Sequence, residues 1–139
     1  MTTGLDSIDT SLQKTNEYFA RIENRLGWAG RREQTYLATR TVLHRLRDHL
    51  PLHANAHLAA QLPIILKGIY FDSWEPREKP IRETKDQFIS AIQNQFQYSV
   101  EDYNVVISAI IDETLNMVSE GEKIKILDIL PANIVEIFC

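Results

Sequence analysis

Few side chains in this 139-residue chain are equipped for chemistry, and most of them lie in its first half. All four histidines fall close together, at His44, His49, His53 and His57. His53 and His57 stand four apart, the spacing that puts two imidazoles on one helix face and lets them chelate zinc, nickel or copper. No cysteine or carboxylate pair supplies the remaining ligands; Asp48 is the only local acid, and Pro51 separates His49 from the pair. The expectation is a surface pair and no metal, with His44, beside Leu43, a partly buried packing residue. A second constellation is aromatic and basic. Trp28 sits in a Gly27-Trp-Ala-Gly30 turn, and Tyr70, Phe71 and Trp74 follow a helical run, with Arg31, Arg32 and Arg77 nearby in sequence. Indoles in loops beside guanidinium groups make a stacking surface for a base or a peptide; the plainer reading is that they staple helices together.

Groups for catalysis are missing from the sequence pattern. Cys139 is the chain's single cysteine and stands at its last position, and no His-Glu-x-x-His, P-loop or Gly-x-Gly-x-x-Gly run occurs. Glu101-Asp102 and Asp112-Glu113 are adjacent pairs, which point to different faces of a helix and do not form a paired-carboxylate site. The expectation is a protein that is not an enzyme and carries no cofactor. The polar set Gln13, Lys14, Asn16 and Glu17 suggests buried hydrogen bonds or a contact surface.

The elements that must position these residues are helical almost throughout. Apolar residues recur at steps of three, four or seven: Ile8, Leu12, Phe19, Ile22 and Leu26 in a first segment, with Asp6 or Ser7 as its expected N-cap and Gly27 as its stop. A second segment, about Arg31 to Leu50, ends at Pro51, and a third runs from about His53 to Tyr70. Pro63 interrupts the third, so a break is expected at Leu62-Pro63, with Pro63 in the first turn of a fresh helix. After a charged, proline-flanked linker over 73–81 the pattern returns. Segment four carries Phe88, Ile89, Ile92 and Phe96; segment five carries Tyr103, Val106, Ile107, Ile110, Ile111 and Val118. Segment six carries Leu127, Leu130, Ile134, Ile137 and Phe138, and its Lys123–Leu130 stretch, although locally alternating, reads as helix.

A shift of 68 positions superimposes the halves: Val42 on Ile110, Leu43 on Ile111, Leu58 on Ile126, Leu62-Pro63 on Leu130-Pro131, Leu66 on Ile134 and Tyr70 on Phe138. Segments one and four coincide at a shift of 70, with Tyr18 on Phe88 and Ile22 on Ile92. The expected fold is all-α: a six-helix bundle of two pseudo-repeated three-helix units, the third helix of each broken at a Leu-Pro. Residues 1–139 are expected to form one globular domain, with halves at about 6–72 and 82–139, because units this small seldom bury enough surface alone.

Charge divides along the same line. Up to Asp72 there are nine Lys/Arg against seven Asp/Glu; from Ser73 onward there are six against twelve, which together give the net −4. Seven arginines lie between Arg21 and Arg47, a face able to steer an anionic partner or pair head to tail with an acidic surface; a solvated helix face is the plainer reading. A pI near 5.5 argues against nucleic acid, and no run of about 20 apolar residues crosses a membrane. The single cysteine and the absence of a basic start followed by an apolar block suggest the cytoplasm.

The motifs Leu12-Gln-Lys-Thr-Asn16, Val42-Leu-His44, Leu46-Arg-Asp-His-Leu-Pro51, Ala59-Ala-Gln-Leu-Pro63 and Gly68-Ile-Tyr70, with Trp74, resemble the bacterial domain-of-unknown-function 2267 family over about Leu5 to Phe138. The resemblance implies a small cytoplasmic all-helical protein with no assigned activity and no catalytic residues to carry over. The charged Glu75-Pro-Arg-Glu-Lys-Pro80 linker and the acidic C-terminal half depart from the family's usual pattern. Two functions are expected in order. The first is a non-enzymatic interaction module that meets a protein partner or a second copy through Trp28, Arg31, Arg32, Tyr70, Trp74 and Arg77. The second is a small-molecule or anion-binding protein with a pocket between the halves near Trp28, Tyr70 and Trp74.

Overall fold

The computed structural model describes residues 2–139, and among them there are eight helices and no strand. Helix α1 spans Asp6–Leu26 and buries Ser11, Thr15, Tyr18, Phe19 and Ile22 on one face. It starts one residue earlier than the expected caps, at Leu5, whose side chain offers no cap. Asp9 instead accepts hydrogen bonds from the Thr3 backbone N–H (2.8 Å) and hydroxyl (3.0 Å), so the acid in the first turn ties down the preceding chain rather than capping from in front. Gly27 ends the helix at φ 69°, a left-handed conformation that glycine adopts without a Cβ clash.

Helix α2 covers Arg32–Asp48, α3 Leu52–Ala60 and α4 Ile64–Phe71. The break at Leu62-Pro63 separates two helices rather than kinking one: Pro63 is extended at ψ 150° and stands just before α4 rather than in its first turn. The same event recurs between α7 (Glu120–Ile129) and α8 (Ala132–Val135), where Pro131 has ψ 140°. Six expected segments therefore appear as eight helices, the remaining two being α5 (Lys85–Phe96) and α6 (Tyr103–Leu115). Helix α5 opens with a capping box, Thr84 accepting from the Gln87 N–H while the Gln87 side chain accepts from Thr84 N–H. The Lys123–Leu130 stretch is helical, as its longer-range spacing indicated.

Helices α1 and α2 form the middle of the molecule. α1 packs on α6, α4 and α2, and α2 packs on α5, α6 and α4. The buried apolar cluster draws on both halves, with Tyr18, Leu43, Leu46 and Leu66 beside Phe88, Ile107, Ile110 and Ile126. Between α1 and α6 the buried Tyr18 hydroxyl meets the Thr114 hydroxyl at 2.7 Å. Thr114 itself donates to the Ile110 carbonyl, so it accepts from Tyr18. The linker is stitched down rather than loose: Ile81 N–H donates to the Asp48 carbonyl (2.9 Å), and Glu83 is held by Arg45.

The basic run between Arg21 and Arg47 is largely consumed inside the fold. Arg21 pairs with Glu113 at 3.1 Å, and Arg25 reaches both Asp112 (3.2 Å) and Glu113 (3.3 Å), joining α1 to α6. Arg32 grips Glu23, Arg40 pairs with Asp72, Arg45 with Glu83 and Arg47 with Asp48. Six of the seven arginines between 21 and 47 thus face a carboxylate, leaving only Arg31 without an ion pair among the described residues. The basic excess ties parts of one chain together before it is available to a partner.

Candidate ligand groove between α2 and α5

The six residues singled out from the sequence do not converge. Trp28 is buried and stacks on Phe96 at 6.2 Å, fastening the α1–α2 turn to the end of α5. Arg31 lines a shallow groove beside it with Val105 and Asp102. Arg32 is taken up by Glu23 through two hydrogen bonds (2.8 and 3.1 Å), bonds Asn16, and lies over the Phe19 ring; its guanidinium holds the Glu23 carboxyl below the usual carboxylate range. Tyr70 is fully buried and donates its hydroxyl proton to Asn55. Trp74 packs against Phe71 with ring centres 4.9 Å apart and planes tilted by 31°, and shares a narrow crevice with Arg77 and Arg47. The two indoles line different surfaces, each fastening the chain segment that carries it.

A groove with converging polar groups lies elsewhere, along the seam between α2 and α5. At one end a cleft of about 290 Å³ is bordered by Arg40, His44, Arg45, Asp48, Ser73 and Gln95. It shares Arg40, Thr41 and Gln95 with a second hollow of about 400 Å³ walled by Leu37, Phe96, Gln97 and Tyr98. One end is therefore cationic and hydroxyl-bearing, the other aromatic. Positions 40, 41, 44, 45 and 48 form one helical stripe, which is how α2 presents all five to a single neighbour. The two non-glycine residues with left-handed backbone among the described residues, Ser73 (φ 59°) and Gln97 (φ 65°), border this same groove at opposite ends. Such conformations cost on the order of 1 kcal/mol or more outside glycine and collect where a side chain is used. Gln97 closes α5 through its N–H to the Gln93 carbonyl, a task glycine performs with less strain.

Within the cleft the proton positions are determined by partners. His44 Nε2 lies 2.7 Å from the Ile69 carbonyl, which only accepts, so Nε2 carries the hydrogen. Arg40 Nη1, 3.3 Å from the same nitrogen, then has no acceptor there; it is held by Asp72 at 3.0 Å, and Arg40 Nη2 is 3.5 Å from the Ser73 hydroxyl. His44 Nδ1 is left as a free acceptor, and burial keeps the ring neutral by lowering its proton affinity, with Arg47 and Arg40 adding to the effect. His49, one turn on and closed off from solvent, donates Nδ1–H to the Arg45 carbonyl (2.9 Å) and packs edge-on against Phe88. Its Nε2 lies 3.3 Å from Glu83 Oε1 without a well-aligned hydrogen bond, and desolvation lowers its affinity for a proton despite that carboxylate.

Both imidazoles bind protons less readily folded than unfolded. Their contribution to stability is present in full above the ordinary imidazole value of 6.5 and is lost as pH falls from there toward the lowered folded values. Urea midpoints are therefore expected to be lower at about pH 5.5 than at about pH 7.5, above the window in which carboxylates titrate. Equal midpoints at the two pH values would mean that neither ring is buried neutral. His53 and His57 are exposed, 6.3 Å apart between ring centres. No group of three or more histidine, cysteine or carboxylate side chains capable of holding a metal ion occurs among the described residues, and no helix there is long and apolar enough to cross a membrane.

Of the groove residues, His44 stood out in the sequence as a partly buried packing residue beside Leu43, which its half-buried position bears out, and not for a place in a groove. Arg40, Thr41, Arg45 and Asp48 sit on what reads as a solvated face of α2; the signal available was that they share one stripe with a histidine. None of the curated proteins matches the chain. The family described as uncharacterized conserved protein, DUF2267, matches residues 15–137, a span that includes every helix but the first turns of α1. The chain belongs to the DUF2267 family.

Proposed function

We propose that this protein is a non-enzymatic binding protein that takes a small anionic molecule in the groove between α2 and α5. The observation that carries the proposal is the left-handed backbone of Ser73 and Gln97 at the two ends of one groove. Further support comes from the mixed lining, a few placed polar groups beside an apolar wall, as is usual for small-molecule sites. Ser73 has Arg40 rather than His44 as its neighbour at hydrogen-bond range, which favours holding a ligand over activating a nucleophile.

The same proposal includes an architecture: a duplicated helical unit whose halves share one core and form a single domain, with the groove on their seam. Its support is equal burial at positions 68 apart. Val42 and Ile110, Leu58 and Ile126, and Leu66 and Ile134 are all fully enclosed, and Pro63 and Pro131 have nearly the same φ, −55° and −56°. The interaction-module reading keeps one support of its own. Leu5, Leu12 and Ile64 are exposed large apolar residues, and the Ser11 hydroxyl accepts from Ile65 N–H at 2.8 Å, bringing the starts of α1 and α4 together.

Amide NMR spectra recorded with a fragment library separate these readings. Resonance shifts are expected at Arg40, His44, Gln95 and Tyr98 in the presence of acidic aromatic fragments. A library that moves none of them would overturn the groove as a ligand site. Shifts at Leu12 and Ile64 that grow with protein concentration alone would favour self-association instead.

A further inference from the structure

We propose that the groove is built for a 2-hydroxy carboxylic acid with an aromatic or apolar tail, an inference that rests on the groove being a ligand site. The carboxylate belongs at Arg40 and Ser73. Arg40 is the cation of the cleft whose carboxylate partner is readily replaced, because Asp72 is 58% exposed on its side chain while Glu83, which holds Arg45, is 12%. An exposed pair contributes little, so a ligand carboxylate displaces Asp72 at small cost. Ser73, 3.5 Å from Arg40 Nη2, has a hydroxyl proton free to donate to the same group. Its left-handed backbone is then explained, since glycine relieves the strain but supplies no donor.

The neighbouring hydroxyl of the ligand answers His44. With Nε2–H committed to the Ile69 carbonyl, Nδ1 is the ring nitrogen able to accept from a ligand hydroxyl. A neutral O–H fits better than an ammonium, which would lie beside Arg40 and find Asp48 already facing Arg47 Nε at 3.4 Å. The tail runs from this polar end over Thr41 and Gln95 toward Leu37, Phe96 and Tyr98 in the adjoining hollow, which shares Arg40, Thr41 and Gln95 with the cleft. Thr41 adds no competing donor there, its hydroxyl proton being given to the Leu37 carbonyl at 2.7 Å.

Calorimetric titration of the full chain with 3-phenyllactate, 3-phenylpropionate and 3-phenylpropane-1,2-diol tests the assignment. The hydroxy acid is expected to bind about tenfold or more tightly than either analogue, the loss for one hydrogen bond to a charged or fixed partner. Ser73→Gly and Arg40→Gln are each expected to weaken it by a similar factor, with Ser73→Gly melting no lower than wild type. Equal binding of phenylpropionate would overturn the role given to His44, and an unchanged affinity in Ser73→Gly would overturn the carboxylate position. If none of the three binds while other fragments still shift groove resonances, the ligand class is wrong and the groove stands. If no fragment reaches the groove, both fall together.

Discussion

Replacing Arg47 with alanine is expected to remove about 3–5 kcal/mol of folding stability, the sum of two backbone carbonyls left without a donor at about 1–3 kcal/mol each and the lost packing of its stem. Arg47 is a buried cation on α2, 6% exposed, and its Nη1 donates to the Tyr70 (2.8 Å) and Asp72 (3.2 Å) carbonyls at the end of α4. The last carbonyls of a helix have no partner inside it; at the end of α4 the Trp74 N–H takes the Phe71 carbonyl, His44 takes the Ile69 carbonyl, and Arg47 supplies the donor for Tyr70 from another helix. Asn55 extends the cluster by donating to the Arg47 and Leu50 carbonyls and accepting from Tyr70. Alanine leaves two carbonyls unpaired and a gap where the aliphatic stem packed. Methionine restores the stem but not the donors and is expected to fall between. Arg77→Ala, an exposed neighbour of the same crevice, is expected to stay within about 0.5 kcal/mol of wild type. Urea unfolding followed by circular dichroism measures all three; Arg47→Ala within about 1 kcal/mol of wild type would refute the cap.

That cluster also marks how far the sequence could be read. Helix positions follow from the spacing of Leu43, Leu46 and Leu50 or of Ile107, Ile110 and Ile111, because burying one face at helical period is a local property. Proline acts locally too, which is why the separations at Leu62-Pro63 and Leu130-Pro131 were legible. What a polar face meets is not local. Arg47 reads as one more arginine in a basic run, and nothing within α2 says that it caps α4 while Arg40 and Arg45 border a groove with α5. The indoles mislead for a related reason. Trp28 and Trp74 are both loop residues near arginines, but where each loop is carried depends on helix packing, and Trp28 is delivered to Phe96 in the other half. Ser73 gives no warning at all, since a left-handed serine looks like any serine.

The charge pattern shows the same limit from the other side. Net charge by halves is a sequence property, and it suggested attraction between a basic and an acidic surface. The attraction exists, but both surfaces belong to one molecule: Arg21 and Arg25 on α1 meet Asp112 and Glu113 on α6. Each such pair at a half-exposed site contributes about 0–1 kcal/mol, so they orient the halves more than they hold them. The holding falls to the apolar contacts between α2 and α5 and between α1 and α6.

Phe88→Ala tests that holding role directly, with an expected cost of about 3–5 kcal/mol. Phe88 is fully buried on α5, facing α2, where its ring meets the edge of His49 at 5.3 Å. Nothing small enough to rearrange fills the space it leaves, because its surroundings are other buried side chains. The informative feature is where the loss appears. In a Trp28→Phe background Trp74 is the only indole, placed against Phe71 beyond α4 in the first half, whereas Phe88 belongs to the second. If the halves share one core, the fluorescence transition of Trp74 and the helical signal in circular dichroism move together in one step. If each half stood alone, Trp74 would keep its original midpoint and the helical signal would divide in two. A single shifted transition is the expected result, because α2 presents Leu43 and Leu46 to a core that α5 and α6 complete with Phe88, Ile92 and Ile110.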